Sequence, residues 1–178
     1  MINCRICNSN IAPFMSFGKM PIANGFLTSD QIQNEYFFEL APAFCSYCGM
    51  FQLIEQPEQQ KMFHENYAFF SSTSNYMQAH FKQFSEMVIK CVLADRQEPF
   101  VVELGSNDGI MLRNFKDAGI RHLGIEPSIN VANVARLAGI KTLSEFFNVE
   151  LADRIVGENG QADTILCANV MCHIPDLN

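Results

Sequence analysis

Two groups of residues in this 178-residue chain could do chemistry. The first is a pair of cysteine doublets, Cys4 and Cys7 in "CRIC" and Cys45 and Cys48 in "CSYC". A C-x2-C turn brings two thiolates to one ion from a single tight loop. Two such turns complete a tetrahedral sulfur shell around zinc, with Zn–S bonds of about 2.3 Å. Four thiolates leave no open position, so a zinc held by Cys4, Cys7, Cys45 and Cys48 would be structural and not catalytic. Gly49, directly after the second doublet, lets the backbone fold back over the sulfurs. The plainer alternatives are four reduced core thiols, or two disulfides in an exported chain; the paired spacing favours zinc. Residues 8 to 44 must then loop out and return. Cys91, Cys167 and Cys172 share no such spacing and are expected to pack as small hydrophobes.

The second group lies in "FVVELGSNDGIML", residues 100 to 112. Its glycines, Gly105 and Gly109, form a G-x3-G loop. The G-x-G-x2-G dinucleotide fingerprint is absent because position 107 is Asn, and no Gly-Lys-Ser/Thr follows to make a phosphate-binding loop. What remains is Glu103 at the end of one strand, two residues before the first glycine, and Glu126 at the end of the next strand. That arrangement suits S-adenosylmethionine. Glycines let the backbone approach a ligand closely, and a carboxylate at the second strand end can take both ribose hydroxyls. Glu103 would help hold the amino acid end. The expected cofactor contacts are Glu103, Gly105, Asn107, Gly109, Glu126, Pro127 and Asn169. Two alternatives stay open: glycines that only shape a turn, and an NAD site.

The elements that must position these groups can be read from hydrophobic pattern. Residues 1–55 read as short strands and turns around the zinc. Residues 56–98 read as an aromatic-studded polar connector followed by a helix with Ser74 as N-cap, its apolar stripe being Met77, Phe81, Phe84, Val88 and Cys91. From residue 99 to 178 the texture is β-α-β-α-β-α-β: "FVVEL", a helix closed by Gly119, "HLGIE", a helix closed by Gly139, "IKTL", a third helix, then "ADTILCAN". Strands alternating with helices of this length imply an α/β fold with a parallel sheet and ligands at the carboxyl ends of its strands. The loop after the fourth strand, "CANVMCHIPDL", would bring Asn169, Met171 and His173 near the transferred group.

Composition narrows the partners. Nineteen acidic against twelve basic residues give a net charge of −7, which opposes binding to nucleic acid through phosphate contacts. No apolar run approaches the roughly 18 residues of a membrane span. The N-terminus has no apolar signal segment, so a cytoplasmic, reducing setting is expected.

Taken in order, the zinc doublets, "MFHENYAFFSSTS", "VELGSNDGIMLRNF", "GIEPS" and "CHIPD" resemble the sugar-nucleotide C-methyltransferase family, which methylates carbon 3 of nucleotide-linked 4-keto-6-deoxy sugars. The resemblance covers nearly all of the chain. It implies an N-terminal zinc-binding domain, a Rossmann-like S-adenosylmethionine-binding domain, and a C-terminal domain that helps hold the nucleotide-sugar. It also implies catalysis through an enolate: a base removes the acidic C3 proton, donors stabilise the oxyanion, and the carbon takes the methyl group. By motif, a substrate-site tyrosine falls on Tyr67 and a histidine on His173. A methyltransferase sheet of this class has seven strands and this chain stops after the fourth, so the expectation is a fragment, a truncated product, or a chain completed by a second one. The competing classes are a non-catalytic, zinc-stabilised interaction module and an O- or N-methyltransferase of another small molecule.

Overall fold

The computed structural model describes residues 2–175 and 177. The chain divides into two compact units, one made of the residues up to Phe63 together with the segment from Cys172, the other of His64–Met171. The first unit thus runs past residue 55, where the sequence suggested a boundary, through a short helix α1 (Gln59–Met62).

Three antiparallel pairs build the first unit. They are β1 (Ile2–Asn3) with β2 (Asn10–Ile11), β3 (Lys19–Pro21) with β4 (Phe37–Glu39), and β5 (Pro42–Phe44) with β6 (Phe51–Leu53). Little apolar surface is buried. Phe38, Ala41, Ala43 and the sulfurs of Cys4 and Cys45 are inside, whereas Phe14, Phe17, Phe37, Phe44 and Phe51 stay exposed. A core this small cannot offset the entropy of ordering the chain, which is why such modules rely on a metal.

The second unit opens with α2 (Asn75–Cys91), capped by the Ser74 hydroxyl, which accepts the Met77 N–H at 3.3 Å. Its inner face is Phe81, Phe84, Val88 and Ile89. Cys91 departs from the expected stripe and is exposed. The helix ends there, and Leu93 folds back instead, its N–H bonding to the Val88 carbonyl. Cys172 is exposed as well, so neither cysteine packs as a small hydrophobe.

A four-stranded parallel sheet follows. Its strands are β7 (Phe100–Leu104), β8 (Arg121–Ile125), β9 (Thr142–Leu143) and β10 (Thr164–Cys167), in spatial order β10-β7-β8-β9. Between them run α3 (Leu112–Asp117), α4 (Ile129–Leu137) and α5 (Val149–Asn159). Every residue of β7 is buried, as expected of a central strand covered on both faces. Gly119, Gly139 and Gly160 end the three helices with positive φ. The third strand is shorter than "IKTL" suggested: only Thr142 and Leu143 join the ladder, because Ile140 turns into the core beside Phe115, Met111 and Ala135. The order places the topological switch between β7 and β10, where an open α/β sheet forms its ligand crevice.

Candidate functional site

At the carboxyl end of β7 the chain turns sharply onto β8. The N–H groups of Gly105 and Ser106 both donate to the Ile125 carbonyl, at 2.8 and 3.1 Å. Gly105 has φ 64°, Asn107 50° and Gly109 80°. A Cβ on Gly105 would collide with the side chain of Val170 in the loop after β10, so that glycine permits a close approach.

Three acids converge under this loop. Glu103, Asp108 and Glu126 are all buried. The Glu126 carboxylate is held by two backbone donors, Asn107 N–H to Oε2 at 3.0 Å and Ser128 N–H to Oε1 at 2.8 Å. Burial raises its pKa from the ordinary carboxylate range, against the pull of those donors. Burial pushes Glu103 well above that range, and the charges of Glu126 and Asp108 add to it. Among the described residues Glu103 Oε2 and Asp108 Oδ1 have no hydrogen-bond partner. Unpaired buried acceptors of this kind call for a donor or a cation.

The four doublet sulfurs form the other cluster. All lie within 4.8 Å of one another, with Cys4 to Cys48 at 3.6 Å and Cys7 to Cys45 at 3.5 Å. A zinc tetrahedron with bonds of about 2.3 Å has edges of about 3.8 Å, so the residues fit the ion, and a disulfide at about 2.05 Å is excluded. The two turns match. Asn8 N–H bonds to the Cys4 carbonyl and Gly49 N–H to the Cys45 carbonyl, both residues having positive φ. Asn8 is thus the counterpart of Gly49, a role open to Asn because it tolerates the left-handed region. The Ser9 hydroxyl, 3.4 Å from its sulfur, leads the interactions that hold the Cys7 thiol down to about 6, whereas burial and the neighbouring thiols push Cys48 up to about 12, so the four sulfurs share their protons unevenly when no cation is among them.

Residues 74–178 match a family described as a methyltransferase domain, and residues 4–63 match a zinc binding domain. The chain belongs to the methyltransferase domain family. It is 29% identical, over 178 residues, to the C-methyltransferase NovU of Streptomyces niveus, a match spanning 98% of this chain and 42% of NovU. The chain therefore covers less than half the length of that relative. Solved structures with similarity include the magnesium protoporphyrin IX methyltransferase ChlM of Synechocystis PCC 6803. With SAH bound, ChlM is 17% identical at a TM-score of 0.40, covering 56% of this chain and 48% of ChlM. With SAM bound the identity and TM-score are the same, covering 65% and 56%.

Within this methyltransferase domain the residues singled out by sequence take distinct places. Glu103, Gly105 and Glu126 meet at the strand ends as described, with Pro127 half-buried after Glu126. At Gly109 a Cβ would meet Ile140 and Ala135. The Asn107 side chain is occupied by residues 69 and 71 of the connector. Tyr67 is half-buried; burial raises its hydroxyl and the charge of Glu126 adds to this. Asn169 is exposed in the loop after β10, with φ 59°. His173 belongs to the other unit, since the division falls after Met171. There its ring meets Phe63 edge-on at 5.2 Å, and its carbonyl accepts from Gln59. It borders a cavity of about 250 Å³ shared with Arg5, Gln56 and Met62. Arg5, inside the first doublet, donates to the carbonyls of Ile174 and Pro175 and so fastens this segment to the metal turn. Burial lowers His173 below the usual imidazole value.

Sequence reasoning missed Asp108 and Ser128. Both are wholly buried polar side chains beside Glu126, and the signal available was their position one or two residues from a motif residue.

Proposed function

We propose that this chain binds S-adenosylmethionine at the Glu103–Gly109 loop and serves C-methylation of a nucleotide-linked keto-deoxysugar in a cytoplasmic setting. The observation that carries the reading is the buried pair Glu103 and Glu126 at the carboxyl ends of adjacent parallel strands, beside the topological switch. Glu126, oriented by two backbone donors, presents its remaining lone pairs to vicinal hydroxyls such as those of a ribose. Glu103, whose Oε2 has no partner among the described residues, suits the cationic amino acid end. The match to NovU, named a C-methyltransferase, supports carbon as the acceptor.

When bound, S-adenosylmethionine supplies an electrophilic methyl group. The chain's own residues would bind it, exclude water and manage the substrate proton. Tyr67 and His173 are assigned to the substrate by motif. The raised Tyr67 hydroxyl stays protonated at neutral pH, as a donor to a developing enolate must. The lowered His173 stays a neutral imidazole, able to accept a proton.

The test is calorimetric titration of S-adenosylmethionine into the zinc-loaded chain and its Glu126→Ala variant. The expected result is one saturable site whose affinity falls at least tenfold in the variant. A folded, zinc-containing wild type that takes up no S-adenosylmethionine would refute the reading.

A further inference from the structure

The loop residues between the glycines point to a role apart from ligand binding. Asn107 Oδ1 accepts the Ser71 N–H at 2.9 Å, and its Nδ2 donates to the Phe69 carbonyl at 3.0 Å. In an extended chain, the carbonyl of one residue and the N–H of the second residue on point to the same side. A side-chain amide facing that edge therefore satisfies both, as a neighbouring strand would. Asp108 Oδ2 continues the grip, accepting the Ser72 N–H at 2.9 Å and the Ser72 hydroxyl at 2.5 Å. Two more side chains hold the ends of the same segment. Asn130 in α4 donates to the Tyr67 carbonyl at 2.7 Å, and Gln78 in α2 donates to the Ser72 carbonyl at 2.7 Å.

We propose that Asn107 and Asp108 are positioning residues that clamp the connector segment 67–72 to the glycine loop and thereby fix Tyr67, and that their side chains are not cofactor ligands. The Asn107 residue works in both directions: its side chain holds the segment while its own N–H holds Glu126. Glu126, the loop and the segment carrying Tyr67 are thus one bonded network. A ligand that stiffens the loop at Glu126 also stiffens the segment. The clamp stands on these hydrogen bonds alone; the coupling to cofactor rests on the proposed function.

Amide exchange measured by NMR on the zinc-loaded chain reads the clamp directly, because the Ser71 and Ser72 N–H groups are the donors. In the wild type both should exchange slowly, and S-adenosylmethionine should slow them further. Asn107→Ala should speed Ser71 exchange at least tenfold and abolish the cofactor-induced slowing, while β7 amides keep their protection. Asp108→Ala should do the same to Ser72, and Asp108→Asn, which keeps an acceptor oxygen, should restore part of it. If Asp108→Ala also exposes β7, the comparison passes to Asn107→Ala and Asp108→Asn, whose Ser71 and Ser72 exchange rates decide. Fast exchange of both amides in the wild type would overturn the proposal. So would Asn107→Ala losing cofactor affinity with Ser71 protection intact. A wild type that protects both amides yet binds no S-adenosylmethionine would leave the clamp standing and refute only the proposed function.

Discussion

Gly109→Ala separates packing from ligand binding at the glycine loop. Gly109 has φ 80°, a region that L residues adopt at a cost of about 1–2 kcal/mol. The new methyl would also lie inside 3.0 Å of Ile140 Cδ1 and 3.3 Å from the Ala135 Cβ. Neither neighbour can yield easily: both are fully buried, in the cluster with Phe115, Met111 and Leu112. Overpacking of this kind costs about 1–3 kcal/mol. The sum is about 2–5 kcal/mol, equivalent for a unit of this size to a fall in Tm of roughly 8 °C or more. Chemical denaturation of the variant, alone and combined with Ile140→Ala, makes the test sharp. Ile140→Ala empties the space the new methyl needs, so the double variant should lose less than the two single losses added together, by about 1–2 kcal/mol. Strict additivity, or a Gly109→Ala variant of wild-type stability that fails to bind S-adenosylmethionine, would refute the assignment of this glycine to packing.

Two further outcomes follow from the acids and the metal. Glu103 is raised on folding, so the folded state binds its proton more tightly. The stability this contributes is fully present below the unfolded value of about 4.3 and is lost as pH rises toward the folded value. Glu103→Gln should therefore stabilise the protein increasingly above about pH 4.5, read by urea denaturation across pH; a constant difference from wild type would contradict the burial of a titrating carboxyl. Removing zinc with a chelator should unfold the residues up to Phe63, since those described bury little besides Cys4, Cys45, Phe38, Gln52 and two alanines, while amides of β7 and β8 stay protected; loss of neither set would refute the metal's structural role.

Much of this arrangement could be read along the chain because it is local. The doublets close within four residues each, and the alternation of "FVVEL", "HLGIE" and "ADTILCAN" with helical stretches gives the parallel sheet. The acids at the strand ends follow from register, with Glu103 opposite Gly124 and Glu126 one residue beyond β8. What the pattern hid depends on distant partners. The spacing of the glycine loop does not show that Phe69 and Ser71, far back in the chain, bond to the Asn107 amide. Nor does it show that Ile140 lies where a Cβ at Gly109 would be. Cys91 reads as the end of an apolar stripe because periodicity does not say that the helix stops there. His173 lies on the far side of a division between units that no change in composition marks.

The clustering of Glu103, Asp108 and Glu126 is hard to explain as a device for stability. Each is buried, and the charges of Asp108 and Glu126 both act to keep Glu103 protonated. A neutral glutamine at 103 would keep the shape and avoid that repulsion, and burying an unpaired carboxylate is among the costlier things a core can do. Natural chains carry such local conflicts where a ligand resolves them. A cation entering beside Glu103 would favour release of its proton, offset the repulsion that Asp108 and Glu126 exert on the resulting carboxylate, and supply the partner its Oε2 lacks among the described residues. A neutral adenosine bearing hydroxyls would relieve only Glu126. Under the proposed function, the acids then give the site a preference for the positively charged cofactor over uncharged nucleosides, at the expense of stability in the empty protein.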